Sequence, residues 1–153
     1  MSIFGRILAA IDDSSTSEAP LREAIKLAKD LHSVLRIALV VDVVTLDGES
    51  PYQLVEYEDS IRMTGDRLLA QSAAVAREAG IEAETVRLEI HSLRDCIAEE
   101  LVGNAKAWRA DLIVIGTHGR RGLSRLFVGS VAESVARIAT VPVLVVRDRP
   151  ERK

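Results

Sequence analysis

Five short runs of aliphatic and β-branched residues alternate along the chain with four segments of helical periodicity, and nothing else in the sequence constrains the fold as strongly. Arg6–Ile11 is mostly apolar and stops at a polar cluster, as a strand buried on both faces would. Ser15 followed by Glu18 reads as a capping box, and Pro20 fits the first turn of a helix. Leu21, Ala24, Ile25, Ala28 and Leu31 then recur at helical spacing. The spacing predicts a second strand over Val34–Val44 and a polar loop from Thr45 to about Tyr52. A long helix is expected from about Val55 to Ala79, with Gly80 as its C-cap and Gly65 as a point where it could break. Ala83–Leu88 is a third strand. Ser92 opens a helix that places Ile97, Leu101, Ala105 and Trp108 on one face. Leu112–Ile115 is a wholly apolar fourth strand. Ser130 starts a last helix with Val131, Val135, Ile138 and Ala139 on its apolar face; Pro142 stops it, and Val143–Val146 is the fifth strand.

Strands alternating with helices of this length pair in parallel through right-handed crossovers. The expected fold class is therefore α/β: a single doubly wound domain with a five-stranded parallel sheet and helices on both faces. With 153 residues the chain suits one domain, residues 1–147, followed by a loose tail from Asp148 to Lys153.

Charge and composition exclude several function classes. A net charge of −3 marks no nucleic-acid or membrane-surface binder, and 3% aromatic residues leave little for base stacking. No apolar run approaches the ~20 residues of a membrane span, and no signal-peptide pattern opens the chain. The single cysteine, Cys96, fits a reducing cytoplasm and is expected to be buried and inert. Three scattered histidines and one cysteine give no metal-ligand spacing. His32 and His91 are expected on the surface, and Trp108 in the core.

In an open parallel sheet, ligands bind past the carboxyl ends of the strands where the winding reverses. Asp12–Ser14, Val41–Val43 and Gly116–Ser130 all fall at that edge. The last of these carries the most information. Gly116 and Gly119 bracket a tight turn directly after a buried strand, and glycine there lets a ligand approach the backbone closely. Gly129-Ser130 then immediately precedes a helix, whose free N–H groups and positive dipole end form an anion site. Arg120, Arg121 and Arg125 add positive charge, and Ser130 adds a hydroxyl donor. Together these features point to polyphosphate. No Walker-type G-x-x-x-x-G-K-[ST] occurs, nor a G-x-G-x-x-G after the first strand.

The pattern Gly116, Gly119, Gly129, Ser130 resembles the G-x2-G-x9-G-[ST] motif of the universal stress protein family, with no error in spacing. Its flanks, DLIVIGTHGRRGL and LFVGSVAESVARIATVPVLVVR, are similar to that family as well, and so is ILAAIDDSSTSEAPLREAIKLA near the N-terminus. The resemblance implies strand order 3-2-1-4-5 and a bound ATP, with any magnesium or manganese carried by the nucleotide. It implies Asp12 at the adenosine with Ala10 beside it, and the Val41 backbone at adenine. It implies Gly116 and Gly119 admitting the triphosphate, with Gly129 and Ser130 holding phosphate oxygens. Ile115, Thr117, His118, Arg120 and Val131 complete the expected binding set. It also implies a homodimer through Val143–Val146. Two positions depart from the family pattern: Asp13 stands where glycine is common, and His91-Ser92 replaces a frequent glycine-proline pair.

Asp12-Asp13 also has the look of a response-regulator acidic pair. The third strand, however, ends in Leu88-Glu89-Ile90 and the fifth in Arg147, where a receiver needs aspartate and lysine. Two functions stay open. One is a nucleotide-dependent regulatory module with slow or no hydrolysis and an unnamed protein partner; the other is a weak ATPase or nucleotidyl transferase in the same pocket. Efficient phosphoryl transfer needs metal ligands and a group that orients the nucleophile. No acidic residue lies between Gly116 and Ser130, which favours the first. A member that binds no ATP is the third alternative, and the intact glycine motif argues against it.

Overall fold

The computed structural model describes residues 2–12, 18–44, 50–92, 96–117 and 128–147. The Ser15–Glu18 capping box, Asp13, the turn residues His118, Gly119, Arg120, Arg121 and Arg125, and the tail Asp148–Lys153 lie outside them. In chain order the elements are β1 (Arg6–Ile11), α1 (Glu18–Leu31), β2 (Val34–Asp42), α2 (Pro51–Glu78), β3 (Ala83–Ile90), α3 (Ile97–Trp108), β4 (Leu112–Gly116), α4 (Ser130–Ile138) and β5 (Val143–Val146). The strands form one parallel sheet in the order β3-β2-β1-β4-β5. No helix among the described residues is long and apolar enough to cross a membrane.

Alternation along the strands divides the core in two. Ile7, Ala9, Leu35, Ile37 and Val114 face α1 and α2, whereas Leu8, Ala10, Ala38, Ile113 and Ile115 face α3 and α4. The chain winds onto one face through α1 and α2 and onto the other through α3 and α4. The reversal falls between β1 and β4.

Several elements depart from expectation. β2 stops at Asp42 rather than Val44, because Asp42 Oδ1 accepts from the Val44 N–H (2.9 Å) and turns the chain. β3 runs on to Ile90, paired with Asp42. α2 begins at Pro51, four residues before Val55, because Ser50 and Gln53 form a reciprocal capping box with proline at the helix start. α3 begins at Ile97, not Ser92, with Cys96 as its N-cap; that thiol is half-buried rather than buried. On α4 the buried stripe is centred on Ala132 and Val135, which leaves Ile138 exposed. Gly80 has the positive φ of +88° expected of it, and His32 and His91 are exposed.

α2 passes Gly65 unbroken. A Cβ there would come within 2.9 Å of Val41 Cγ1 and 3.3 Å of Leu39 Cδ2, so the glycine is what lets α2 lie against β2. Gly103 in α3 is the opposite case, because nothing would lie within 4 Å of its Cβ. Gly103→Ala is therefore expected to stabilise the fold by about 0.5–1 kcal/mol through helix propensity alone. Gly65→Ala gains the same propensity but overpacks by about 1–3 kcal/mol, so it is expected to destabilise by about 1 kcal/mol. Urea unfolding midpoints of the two variants check the opposite signs.

The two sheet edges differ in chemistry. β3 is flanked by charge: Arg36 binds Glu84 (2.7 Å), Arg87 binds Asp66 (2.5 Å), and Arg62 binds Glu89. Its hydrogen bond to the Arg62 guanidinium holds the Glu89 carboxyl below its ordinary range. A carboxyl depressed in the folded state contributes stability above its unfolded pKa, and loses it as pH falls through the lower folded value. The destabilisation of Glu89→Gln relative to the parent is thus expected in full at pH 7 and should be smaller at pH 3, below the ordinary carboxyl pKa of about 4.3. Urea midpoints at the two pH values measure it, and an equal gap at both would contradict the assignment.

Candidate functional site

The carboxyl ends of β1, β2 and β4 open into a cleft of about 700 Å³ at the reversal of winding. Nine of the expected site residues line it: Ala10, Asp12, Val41, Ile115, Gly116, Thr117, Gly129, Ser130 and Val131. Ala10 and Ile115 are buried on the α3/α4 side of the sheet, and Asp12 follows the end of β1, half-buried. The remaining three, His118, Gly119 and Arg120, are outside the described residues.

Thr117, at the end of β4, and Gly129, ahead of α4, are held together. Thr117 is buried; its N–H donates to the Val146 C=O (3.0 Å), and its C=O accepts from the Gly129 N–H (2.5 Å). Those two bonds fix the start of α4 beside the end of β4. The first helical bond of α4 runs from the Glu133 N–H to the Gly129 C=O (3.0 Å). The N–H groups of Ser130, Val131 and Ala132 precede that bond, as in the first turn of any helix, and they carry the positive end of the dipole. Ala132 is buried beneath them and anchors the turn, while Ser130 is exposed at the first position. The arrangement is suited to an anionic group.

A second set of polar backbone groups lies across the cleft on β2. Residues along a parallel strand turn their N–H and C=O alternately to the two neighbours. The Val34 N–H donates to Gly5 on the β1 side, and the Val43 N–H donates to Ile90 on the β3 side. Even-numbered residues of β2 therefore face β1, and odd-numbered ones face β3. The last β1–β2 pair among the described residues is Ile11 with Leu39. Beyond it the Val40 C=O and the Asp42 N–H lie on the β1 side of β2, at the end of the strand that lines the cleft. Val41, expected to offer its backbone here, lines the cleft but turns that backbone to β3, where it pairs with Glu89.

The cleft also has a wall that sequence reasoning missed. Tyr57, Ser60, Ile61 and Thr64 of α2 line it, and so do Ile97 and Leu101 of α3. The α3 residues read from sequence as an ordinary core face, and no face is assigned to the part of α2 before Gly65. Asp12 and Asp42 are the acidic residues among the described lining, both on the strand side rather than on α4.

The universal stress protein family model matches residues 4–147. The chain belongs to that family. It is 34% identical to a universal stress protein of Methanocaldococcus jannaschii, over 99% of this chain and 86% of that protein. A solved universal stress protein family structure from Burkholderia pseudomallei is 34% identical and covers 95% of this chain and 98% of its own, with a TM-score of 0.76. The same fold occurs in the universal stress protein of Archaeoglobus fulgidus in complex with dAMP, at 22% identity and a TM-score of 0.61, covering 94% of this chain and 98% of that one. The five-stranded order β3-β2-β1-β4-β5 is thus the universal stress protein arrangement.

Proposed function

We propose that this universal stress protein binds ATP in the cleft and acts as a nucleotide-dependent regulatory module with slow or no hydrolysis. The observation that carries the reading is the pinning of the α4 N-terminus to the end of β4 through Thr117 and Gly129, which aims free N–H groups at the cleft. Phosphate oxygens belong there, on Gly129, Ser130 and Val131, and a magnesium or manganese ion would arrive with them. Asp12, across the cleft, is an acceptor for ribose hydroxyls. The dAMP complex of the Archaeoglobus fulgidus relative supports an adenine nucleotide as the ligand class.

The base is read by β2. Val40 C=O and Asp42 N–H lie on one strand edge, two residues apart, and match the N6–H donor and N1 acceptor of adenine. Guanine reverses both groups and would leave them unpaired, a penalty of several kcal/mol. Regulation fits better than turnover because backbone N–H groups and a small hydroxyl hold phosphate without activating a nucleophile.

A thermal-shift titration tests the proposal. ATP with magnesium at a hundredfold over its dissociation constant is expected to add about 2.7 kcal/mol of stability, and GTP at the same concentration far less. Single-turnover incubation under excess protein should release no phosphate above background. No shift at millimolar ATP, with protein stripped of nucleotide, would sink the reading.

A homodimer through β5 completes the proposal. Among the described residues its four positions pair with β4 alone, all are half-buried, and none is charged, in contrast to the charged β3 edge. The Ile113 N–H donates to the Pro142 C=O and the Thr117 N–H to the Val146 C=O, so even-numbered residues face β4 and odd-numbered ones face outward. Val145→Pro removes an outward N–H and spares the inner ladder. It is expected to convert a dimer to a folded monomer in sedimentation velocity; a parent that is already monomeric at tens of micromolar would refute edge pairing. A reducing cytoplasm is the compartment proposed for this single-thiol chain.

A further inference from the structure

Pro51–Glu78 is one helix by hydrogen bonding but two by packing. Its fully buried residues are Gly65, Leu69 and Ala76, so none lies before Gly65. Its half-buried residues before that point are Leu54, Glu58, Ile61 and Arg62, and of these Ile61 packs against the core. That same half supplies Tyr57, Ser60, Ile61 and Thr64 to the cleft wall. Beyond that one apolar contact, what ties it down is ionic. Arg62 binds Glu89 of β3, and Arg87 of β3 binds Asp66 just past Gly65 (2.5 Å). Arg87 also donates to the backbone C=O of Arg62 (3.4 Å), a carbonyl that the helix itself would otherwise use fully. A side chain bonding into the ladder one turn from a helical glycine is a recognised cause of bending.

We propose that the first half of α2, Pro51–Thr64, is a hinged wall of the cleft that pivots at Gly65, and that the Arg62–Glu89 pair is the latch controlling ligand entry. The inference rests on the nucleotide reading for the identity of the ligand, but not for the hinge. In the closed position the wall covers the cleft from the α1/α2 side. Releasing the latch lowers the population competent to hold ligand, and the apparent affinity falls by that fraction. Arg62 retains Glu58 (3.3 Å) and Asp59 (3.6 Å) on its own helix, so loss of Glu89 leaves no unbalanced charge.

Hydrogen exchange of the full chain, with and without saturating ATP, tests the hinge in the parent, in Glu89→Gln and in Glu82→Gln. Glu82 pairs with Arg77 near the far end of α2 (3.3 Å), so its variant controls for loss of a charge pair away from the latch. Expected are faster exchange over 54–64 than over 66–76 in the parent, and a further increase of roughly fivefold over 54–64 alone in Glu89→Gln. Glu82→Gln should leave 54–64 unchanged. ATP should slow exchange in that half in both the parent and Glu89→Gln, and its dissociation constant should rise in Glu89→Gln by no more than the factor by which opening increases. Equal exchange along the whole helix, or a Glu89→Gln effect spread over both halves, would overturn the hinge. Selective opening that saturating ATP does not suppress would overturn the gating role. Failure of the parent to bind ATP at all would defeat the nucleotide reading and the gating role together, while the exchange pattern decides the hinge separately.

Discussion

Ser130→Asp is expected to abolish the 2.7 kcal/mol stabilisation by ATP while making the free protein slightly more stable. Both effects come from the same place. Ser130 is exposed at the first position of α4, ahead of the first helical hydrogen bond. A carboxylate there meets the positive end of the helix dipole and adds about 0.3–1 kcal/mol to the fold. It also occupies the position offered to phosphate and repels it. Ser130→Ala is the milder partner: it removes one hydroxyl donor, keeps the backbone groups, and should retain most of the ATP shift. Thermal shifts of the three proteins, with and without ATP and magnesium, separate damage to the site from damage to the fold. A full ATP shift in Ser130→Asp would mean that phosphate does not sit at α4.

Trp108→Ala is expected to cost about 3–5 kcal/mol, a large share of the roughly 5–15 kcal/mol typical of a domain. Trp108 is only 7% exposed, at the end of α3, and packs with Leu8, Ala38 and Ile113. The Arg36 guanidinium lies 4.6 Å from its ring centroid and that of Arg6 5.2 Å. Arg6 also donates to the Trp108 C=O (2.6 Å), and Arg36 is held by Glu84. The ring therefore connects α3 to the starts of β1 and β2 at the end of the sheet opposite the cleft. Trp108→Phe keeps an aromatic face and should cost about 1–2 kcal/mol. Urea unfolding followed by far-UV circular dichroism is the appropriate measurement, because the substitution removes the fluorescent probe. A Trp108→Ala cost under about 1 kcal/mol would show that the neighbours collapse into the space. The expected fall in melting temperature is on the order of 10 °C.

The strands were legible because burial on both faces writes itself locally, as a continuous apolar run. β1 and β5 have the bounds that their residues predict, and β4 gains only Gly116. Helix starts were less legible. The Ser50–Gln53 box and Pro51 were in plain view, but Asp-Gly and Ser-Pro nearby are equally good turn signals. Ser92 resembles a cap, yet α3 starts at Ile97; nothing in the local sequence ranks one start above the other. Gly65 looked like a break because propensity is a property of the helix alone. Its value lies in contact with Val41 and Leu39 on another element.

The same division holds for the site. Sequence by itself determined the sheet, the family, and the pieces that meet at the cleft: Gly116, Gly129 and Ser130 are encoded by residue type at fixed spacing within one strand–turn–helix unit, and Asp12 by its place directly after β1. Tertiary structure alone decided which backbone groups of β2 face the cleft, because a one-residue change of parity reverses them, and the parity is set by pairing with β1 and β3. It also decided that the first half of α2 walls the cleft and is held to β3 by Arg62–Glu89 and to the core through Ile61. Those contacts join residues distant in the chain, Arg62 with Glu89 and Gly65 with Val41, and no local pattern of either segment specifies its partner.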